Sequence, residues 1–67
     1  MPRKLRQLIA DLRQSGFVHV ATNGSHRKYR HPGGATVILS GHTGADAHRY
    51  QEKDVQAALE AAKEKKP

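Results

Sequence analysis

Two amphipathic stripes, one at each end of the chain, constrain the fold more than any other feature of the sequence. In each stripe the apolar residues recur at positions i, i+3, i+4 and i+7, which places them on one face of an α-helix. The first stripe consists of Leu5, Leu8, Ile9 and Leu12, and the second consists of Val55, Ala58, Leu59 and Ala62. We therefore predict a helix at each end. The first ends near Gly16, where a left-handed stop is favoured, and no capping residue fixes the start of the second.

The residues between the stripes have the character of strands and turns. Phe17 to Thr22 is rich in aromatic and β-branched residues, and Asn23-Gly24 is a strong signal for a hairpin turn in which both residues have positive φ. Ser25 to His31 and Ala35 to Ser40 predict two further strands, separated by the turn Pro32-Gly33-Gly34.

The predicted order of elements is therefore α-β-β-β-α. A loop over Ser40 to Tyr50, which has no apolar run, connects the last strand to the second helix. Three antiparallel strands joined by short turns bury one face against two amphipathic helices and leave the other face open. This is an α+β fold of the double-stranded-RNA-binding-domain type. We expect residues 1–67 to form one such domain, because a chain of 67 residues has room for a single small core.

Positive charge is concentrated in the first half of the sequence. The chain holds 12 Lys and Arg against six Asp and Glu, a formal net charge of +6. Residues 1–31 contain seven of the basic residues and a single acid, Asp11, whereas the basic and acidic residues after position 31 cancel. A one-sided basic surface favours a polyanion such as a nucleic acid, although a solvated charged surface is the simpler interpretation.

The composition also excludes several classes of protein. The absence of cysteine excludes a disulfide framework, a thiolate nucleophile and a cysteine-ligated metal. No apolar stretch is long enough for a membrane span or a signal peptide. We therefore expect a cytoplasmic protein.

The second predicted strand is the most informative segment for function. Successive strand residues face opposite sides, so Arg27, Tyr29 and His31 share one face and His26, Lys28 and Arg30 share the other. If Tyr29, the one large and partly apolar residue, faces the core, the second set forms a basic row about 14 Å long on the open face.

The string from Gly24 to Pro32, Gly-Ser-His-Arg-Lys-Tyr-Arg-His-Pro, follows a helix that ends in Gly16-Phe17 and precedes a strand. In this setting it resembles the HicA family of toxins from bacterial type II toxin–antitoxin systems. The resemblance covers Lys4 to Leu39. It implies a double-stranded-RNA-binding fold, ribosome-independent endonuclease activity on mRNA, dependence on the histidine of the Gly-Ser-His motif, which is His26, and a HicB-type antitoxin as partner. Ser40 to His48 departs from the family pattern, in which a short loop leads to the final helix.

The chemistry of RNA cleavage also makes His26 the best catalytic candidate. Cleavage needs a base for the 2′-hydroxyl proton, an acid for the leaving 5′-oxygen and positive charge at the phosphate, and an imidazole can perform either proton transfer near neutral pH. Lys28 and Arg30 are candidate RNA ligands on the same face. The alternative is that His26 only hydrogen-bonds its own turn. His31, His42 and His48 remain open as the second acid or base.

The other residues of the motif have simpler interpretations. Gly24 and Ser25 are expected to be structural residues of the turn that aims His26. Arg27 is a further candidate for RNA binding, although its default at the Tyr29 face is packing at the sheet rim.

We expect no metal or other cofactor. A zinc site needs three or four converging ligands, and the strand histidines lie on different faces or different strands. The loop residues His42, Asp46 and His48 are the only plausible trio.

A non-catalytic double-stranded-RNA-binding module is the main alternative to an endonuclease. Such modules place a lysine cluster at the start of the last helix, whereas Lys63, Lys65 and Lys66 lie at its end here. A small DNA-binding protein is a third possibility, but the chain lacks the spacing of a helix-turn-helix.

Overall fold

The computed structural model describes residues 3–64, and in them the predicted order α-β-β-β-α is confirmed. The elements are α1 (Leu5–Gln14), β1 (Val18–Asn23), β2 (His26–Arg30), β3 (Thr36–Ser40) and α2 (Arg49–Glu64). The strands form one antiparallel sheet in the order β1-β2-β3, so β2 is the central strand. The single-domain prediction also covers positions 1, 2 and 65–67, which lie outside the described residues.

Both amphipathic stripes are buried against the same face of this sheet. The buried helical residues are Leu5, Leu8, Ile9 and Leu12 of α1 and Val55, Ala58 and Ala62 of α2, with Leu59 partly buried. Phe17, Tyr29, Val37 and Leu39 complete the core from the sheet side. Full burial of one large aliphatic side chain stabilises a fold by about 1.5–3 kcal/mol, so this shared face is the main source of stability. No helix within residues 3–64 is long and apolar enough to cross a membrane.

The loop between β3 and α2 provides hydrogen-bond acceptors for the first amides of α1. The amide of Leu5 donates to the carbonyl of Ala45 at 3.0 Å, and the next amide donates to the carbonyl of Thr43 at 2.9 Å. Lys4 Nζ donates to Asp46 Oδ1 at 2.6 Å, and the two residues also form an isolated β-bridge. The first amides of a helix have no partner inside it, so this polar loop takes the place of a capping side chain.

The prediction that Asn23 and Gly24 both have positive φ is wrong. Asn23 is the last residue of β1 and pairs with His26, so the two central residues of the turn are Gly24 and Ser25. Gly24 has a φ of 63°, and no residue other than glycine has positive φ in the described part of the chain. A hairpin turn with positive φ only at its first central residue requires glycine at that position, which is where Gly24 stands.

Strand β1 also differs from the regular alternation expected of it. The register shifts between His19 and Ala21, which leaves Val20 as the extra residue of a bulge. The strand begins at Val18 and not at Phe17. The amide of Phe17 instead donates to the carbonyl of Leu12 at 2.9 Å and so caps the C-terminal end of α1.

Candidate nucleic-acid interface

The basic row formed by His26, Lys28 and Arg30 lies on the open face of the sheet. All three side chains are exposed, and Tyr29, between them in sequence, is only 2% exposed and faces the helices. Because β2 is hydrogen-bonded on both sides, its backbone is fixed, and the row projects from the most constrained strand of the sheet.

His26 and Lys28 line one shared hollow on this face. The hollow has a volume of about 410 Å³, and Ala21, Asn23 and Ile38 complete its lining. Asn23 is the cross-strand partner of His26 on β1, and Ile38 is the partner of Lys28 on β3. The hollow therefore places an imidazole and an ammonium group at one concave site.

Apolar side chains border the row on both sides. Val18 and Val20 on β1 are 56% and 48% exposed, and Ile38 on β3 is 55% exposed. The bulge contributes to this border, since Val20 and Ala21 together stand opposite Lys28. The open face thus combines a central line of positive charge with apolar flanks, which suits a ligand that has both phosphates and bases.

No acidic residue in the described part of the chain forms an ion pair with Lys28 or Arg30. The described residues form two ion pairs, Arg3 with Asp11 and Lys4 with Asp46, each at 2.6 Å and both away from the row. The hydrogen bond from Arg3 to Asp11 raises the pKa of Arg3, whose guanidinium is charged at any physiological pH in either case.

His31 lies on the opposite face from His26 and is 7% exposed. Its ring packs against Phe17 with a centroid distance of 5.2 Å. Its Nδ1 accepts a hydrogen bond from the amide of Gly33 at 2.9 Å. His31 is therefore a core residue. It lies away from the open face, where a second acid or base would have to act.

Arg27 is also separated from the basic row. It is partly buried, and its Nη1 donates to the carbonyl of Gly41 at 2.7 Å. The amide of Gly41 in turn donates to the carbonyl of Ser25 at 3.3 Å. Arg27 therefore ties the loop after β3 to the turn that carries His26, and its contact with RNA stays a prediction.

The two loop histidines occupy different positions. His42 directly follows Gly41, so its backbone is held beside the turn that precedes His26. The His48 ring stacks on the exposed ring of Tyr50 with a centroid distance of 5.7 Å. Asp46 is engaged by Lys4, and no group of three potential metal ligands comes together within residues 3–64.

The residues that share the hollow with His26 were not predicted from the sequence. Once Gly24 and Ser25 form the turn, the register places Asn23 opposite His26 and Ala21 opposite Lys28. Ile38 is placed opposite Lys28 by the separate register of β2 with β3. Gly24 could have indicated the register of β1 with β2, because a two-residue turn with glycine at its first central position accepts any residue at the second.

No curated protein matches the chain at a significant level. A family profile described as the HicA toxin of bacterial toxin–antitoxin systems matches residues 5–63. That match includes α1, all three strands, the loop that departs from the expected pattern and all of α2 except its last residue. The chain therefore belongs to the HicA family of toxins from bacterial toxin–antitoxin systems.

Proposed function

We propose that the protein is an mRNA endonuclease toxin that acts in the cytoplasm, cleaves without a metal ion, and uses His26 as a general acid or base. The observation that supports this proposal best is the hollow that His26 shares with Lys28 on an exposed sheet face. Imidazole exchanges protons near neutral pH, and an adjacent ammonium group stabilises charge on a phosphate.

The proposed reaction is transfer of a phosphate from the 5′-oxygen to the neighbouring 2′-oxygen. The base removes the 2′-hydroxyl proton, the 2′-oxygen forms a bond to phosphorus, and the bond to the 5′-oxygen breaks as that oxygen receives a proton. The products are a 2′,3′-cyclic phosphate and a 5′-hydroxyl. Lys28 and Arg30 offset the negative charge that develops on the phosphate.

His42 is the proposed second proton-transfer group. His31 faces the core, whereas the backbone at His42 is tied to the hairpin turn through Gly41. A positioned acid or base contributes about 10²- to 10⁴-fold, so His42→Ala is expected to slow cleavage within that range. An unchanged cleavage rate in this variant would exclude His42 and leave His48 or solvent for the second proton transfer.

The decisive experiment compares His26→Ala with His19→Ala. Purified variants are incubated with single-stranded mRNA in EDTA, and 2′,3′-cyclic phosphate ends are quantified. His19 is the matched control because it is another exposed strand histidine, and its register opposite Tyr29 places it on the other face. We expect His26→Ala to lose cleavage and cellular toxicity, His19→Ala to retain both, and both to fold. An active His26→Ala variant contradicts the catalytic role, and RNA binding without cleavage by the unmutated protein would favour a binding module instead.

The charge of the row is tested by the salt dependence of RNA binding. Lys28→Ala and Arg30→Ala are each expected to weaken binding and to lower the salt slope by about 0.7, the value for one phosphate contact on a single strand. Lys53→Ala on α2 removes the same charge from an exposed position away from the sheet face and serves as control. Equal effects of all three substitutions would show that net charge alone attracts the RNA.

The proposed partner is a HicB-type antitoxin that covers the basic row. An acidic surface that docks on Lys28 and Arg30 excludes RNA directly and associates faster at low salt. Competition between antitoxin and RNA is measured by fluorescence anisotropy with a catalytically inactive toxin. A stable ternary complex at saturating antitoxin would show that inhibition does not act by covering the row.

A further inference from the structure

We propose that the free edge of β3, together with the alanine surface of α2 beside it, binds one extended acidic segment of the antitoxin as a fourth strand. This inference rests on the proposed antitoxin partner and specifies how that partner attaches. It adds a backbone-mediated contact at the edge of the sheet to the charge-mediated contact at the basic row.

Two hydrogen bonds show which way the backbone of β3 faces. At one end, the amide of His31 donates to the carbonyl of Ala35 at 2.8 Å, and at the other end the amide of Gly41 donates to the carbonyl of Ser25 at 3.3 Å. Ala35 and Gly41 therefore face β2. In an antiparallel ladder every second residue does the same, and the residues that alternate with them direct their N–H and C=O groups away.

The outward-facing residues of β3 are Thr36, Ile38 and Ser40. The carbonyl of Ser40 accepts a hydrogen bond from Gln51 Nε2 at 2.9 Å, which agrees with this alternation. The amides and carbonyls of Thr36 and Ile38 have no hydrogen-bond partner among residues 3–64. A row of unpaired backbone groups on an exposed strand is a template for pairing with another strand.

The edge of β3 lacks the features that usually prevent such pairing. Edge strands are commonly protected by charged side chains, by proline or by a bulge. The opposite edge, β1, has a bulge at Val20. The β3 sequence Thr-Val-Ile-Leu-Ser has no charge, no proline and an unbroken register from Thr36 to Ser40 against β2.

A groove of about 580 Å³ runs between this edge and α2. Its helical wall is formed by the small side chains of Ala57, Ala58 and Ala61, which leave space beside the strand. Lys28 reaches the groove from the open face of the sheet, and Asp54 lies at its helical wall.

These surroundings define the chemistry of the added strand. Its side chains alternate between the helix side, where small apolar residues fit against the alanines, and the open-face side, where acidic residues meet Lys28. A second copy of this chain fits less well, because each copy has a net charge of +6. Edge-to-edge pairing of two copies would place their basic rows on one face, about 14 Å apart across three strand spacings.

Amide hydrogen exchange tests this pairing directly. The isotope-labelled toxin is measured alone and in complex with the antitoxin that neutralises it on co-expression. We expect the Thr36 and Ile38 amides to exchange rapidly in the free toxin and at least 100-fold more slowly in the complex. The Val37 and Leu39 amides, which face β2, are expected to be protected in both. Unchanged exchange at Thr36 and Ile38 in a saturated complex overturns the proposal, as does concentration-dependent protection in the free toxin, which would identify a second copy as the occupant.

Thr36→Pro and Thr36→Val form a matched pair for the energetics. Proline removes the outward amide at the first residue of an edge strand, where proline is tolerated, and valine keeps that amide and nearly the same shape. We expect about tenfold weaker antitoxin binding for Thr36→Pro and unchanged binding for Thr36→Val. Equal affinities of the two variants overturn the proposal.

A second substitution covers the case in which Thr36→Pro does not fold. Ala57→Glu narrows the groove from an exposed helix position and repels an acidic strand without altering the sheet. We expect at least tenfold weaker antitoxin binding, and unchanged affinity overturns the proposal. RNA cleavage is measured in parallel for every variant. Loss of antitoxin affinity with normal cleavage supports the edge site, whereas absence of cleavage in the unmutated toxin refutes the proposed enzyme activity and leaves the exchange result valid.

Discussion

Replacing Tyr29 and replacing Lys28 should have opposite consequences, although the residues are adjacent in the chain. Tyr29 is 2% exposed and its ring lies 5.3 Å from that of His19. A buried aromatic side chain removes about 150–250 Å² from water, which at about 25 cal/mol per Å² corresponds to roughly 4–6 kcal/mol as an upper limit. Substitution of buried aromatics by alanine typically costs about 3–5 kcal/mol.

That loss is large for a protein of this size. A domain of 67 residues is expected to have an unfolding free energy of about 3–10 kcal/mol. Tyr29→Ala should therefore lower the melting temperature by at least about 12 °C or leave the protein unfolded at 25 °C. Lys28→Ala, which removes an exposed side chain, should change the unfolding free energy by less than about 0.5 kcal/mol and weaken RNA binding instead.

Thermal melts followed by circular dichroism and RNA binding followed by fluorescence anisotropy separate the two effects. Tyr29→Phe is the control, because it keeps the buried ring and removes only the hydroxyl. That hydroxyl forms no hydrogen bond with residues 3–64, and it is not a buried atom left without a partner. This variant should melt within about 1 kcal/mol of the original protein. A Tyr29→Ala variant that melts normally but no longer binds RNA would refute the assignment of the two faces of β2.

Three further substitutions test how the site is held in place. Gln51→Leu leaves the carbonyl of Ser40 without its partner and should cost about 1–3 kcal/mol in urea unfolding. Gly24→Ala meets no atom within 4 Å but forces a φ of 63° on alanine, so it should cost about 1–2 kcal/mol, and a neutral result would contradict the turn geometry. Arg27→Ala removes the hydrogen bond to the Gly41 carbonyl and should accelerate exchange of the Gly41 amide, while the dissociation constant for RNA stays unchanged. Weaker RNA binding by this variant would assign Arg27 to the RNA interface.

The features that were predictable from sequence are those encoded by local periodicity. The helical stripes and the alternation of Tyr29 with Lys28 each depend on residues a few positions apart, so the pattern determines which face is buried. The placement of His26 on the open face followed from that alternation together with the assignment of Tyr29 to the core.

The features that were missed depend on contacts between distant segments. The start of α2 has no Ser, Thr, Asn or Asp cap; instead, Gln51 Oε1 accepts a hydrogen bond from the amide of His48 at 2.8 Å, and Gln51 Nε2 donates to the carbonyl of Ser40. The bulge at Val20 is defined only relative to β2, and the loop after β3 takes its shape from the unpaired amides of α1. Apart from the bond between His48 and Gln51, these contacts join segments that are distant in sequence, so no local pattern could reveal them.

The two faces of β2 also separate stability from function. Lys28 and Arg30 are two residues apart on one face, about 7 Å along the strand. Two like charges at that distance repel by about 0.6 kcal/mol in water and by about 2 kcal/mol at an effective dielectric constant of 20, and their exposure places them near the lower value. Neither charge has an acidic partner in the described part of the chain. The unfolded chain has nearly the same repulsion, because the two residues are only two positions apart in sequence, so the row contributes little to stability, while Tyr29 on the reverse side contributes several kcal/mol. A polyanion on the open face would remove that repulsion, so a row that adds little to the stability of the free protein would favour such a complex.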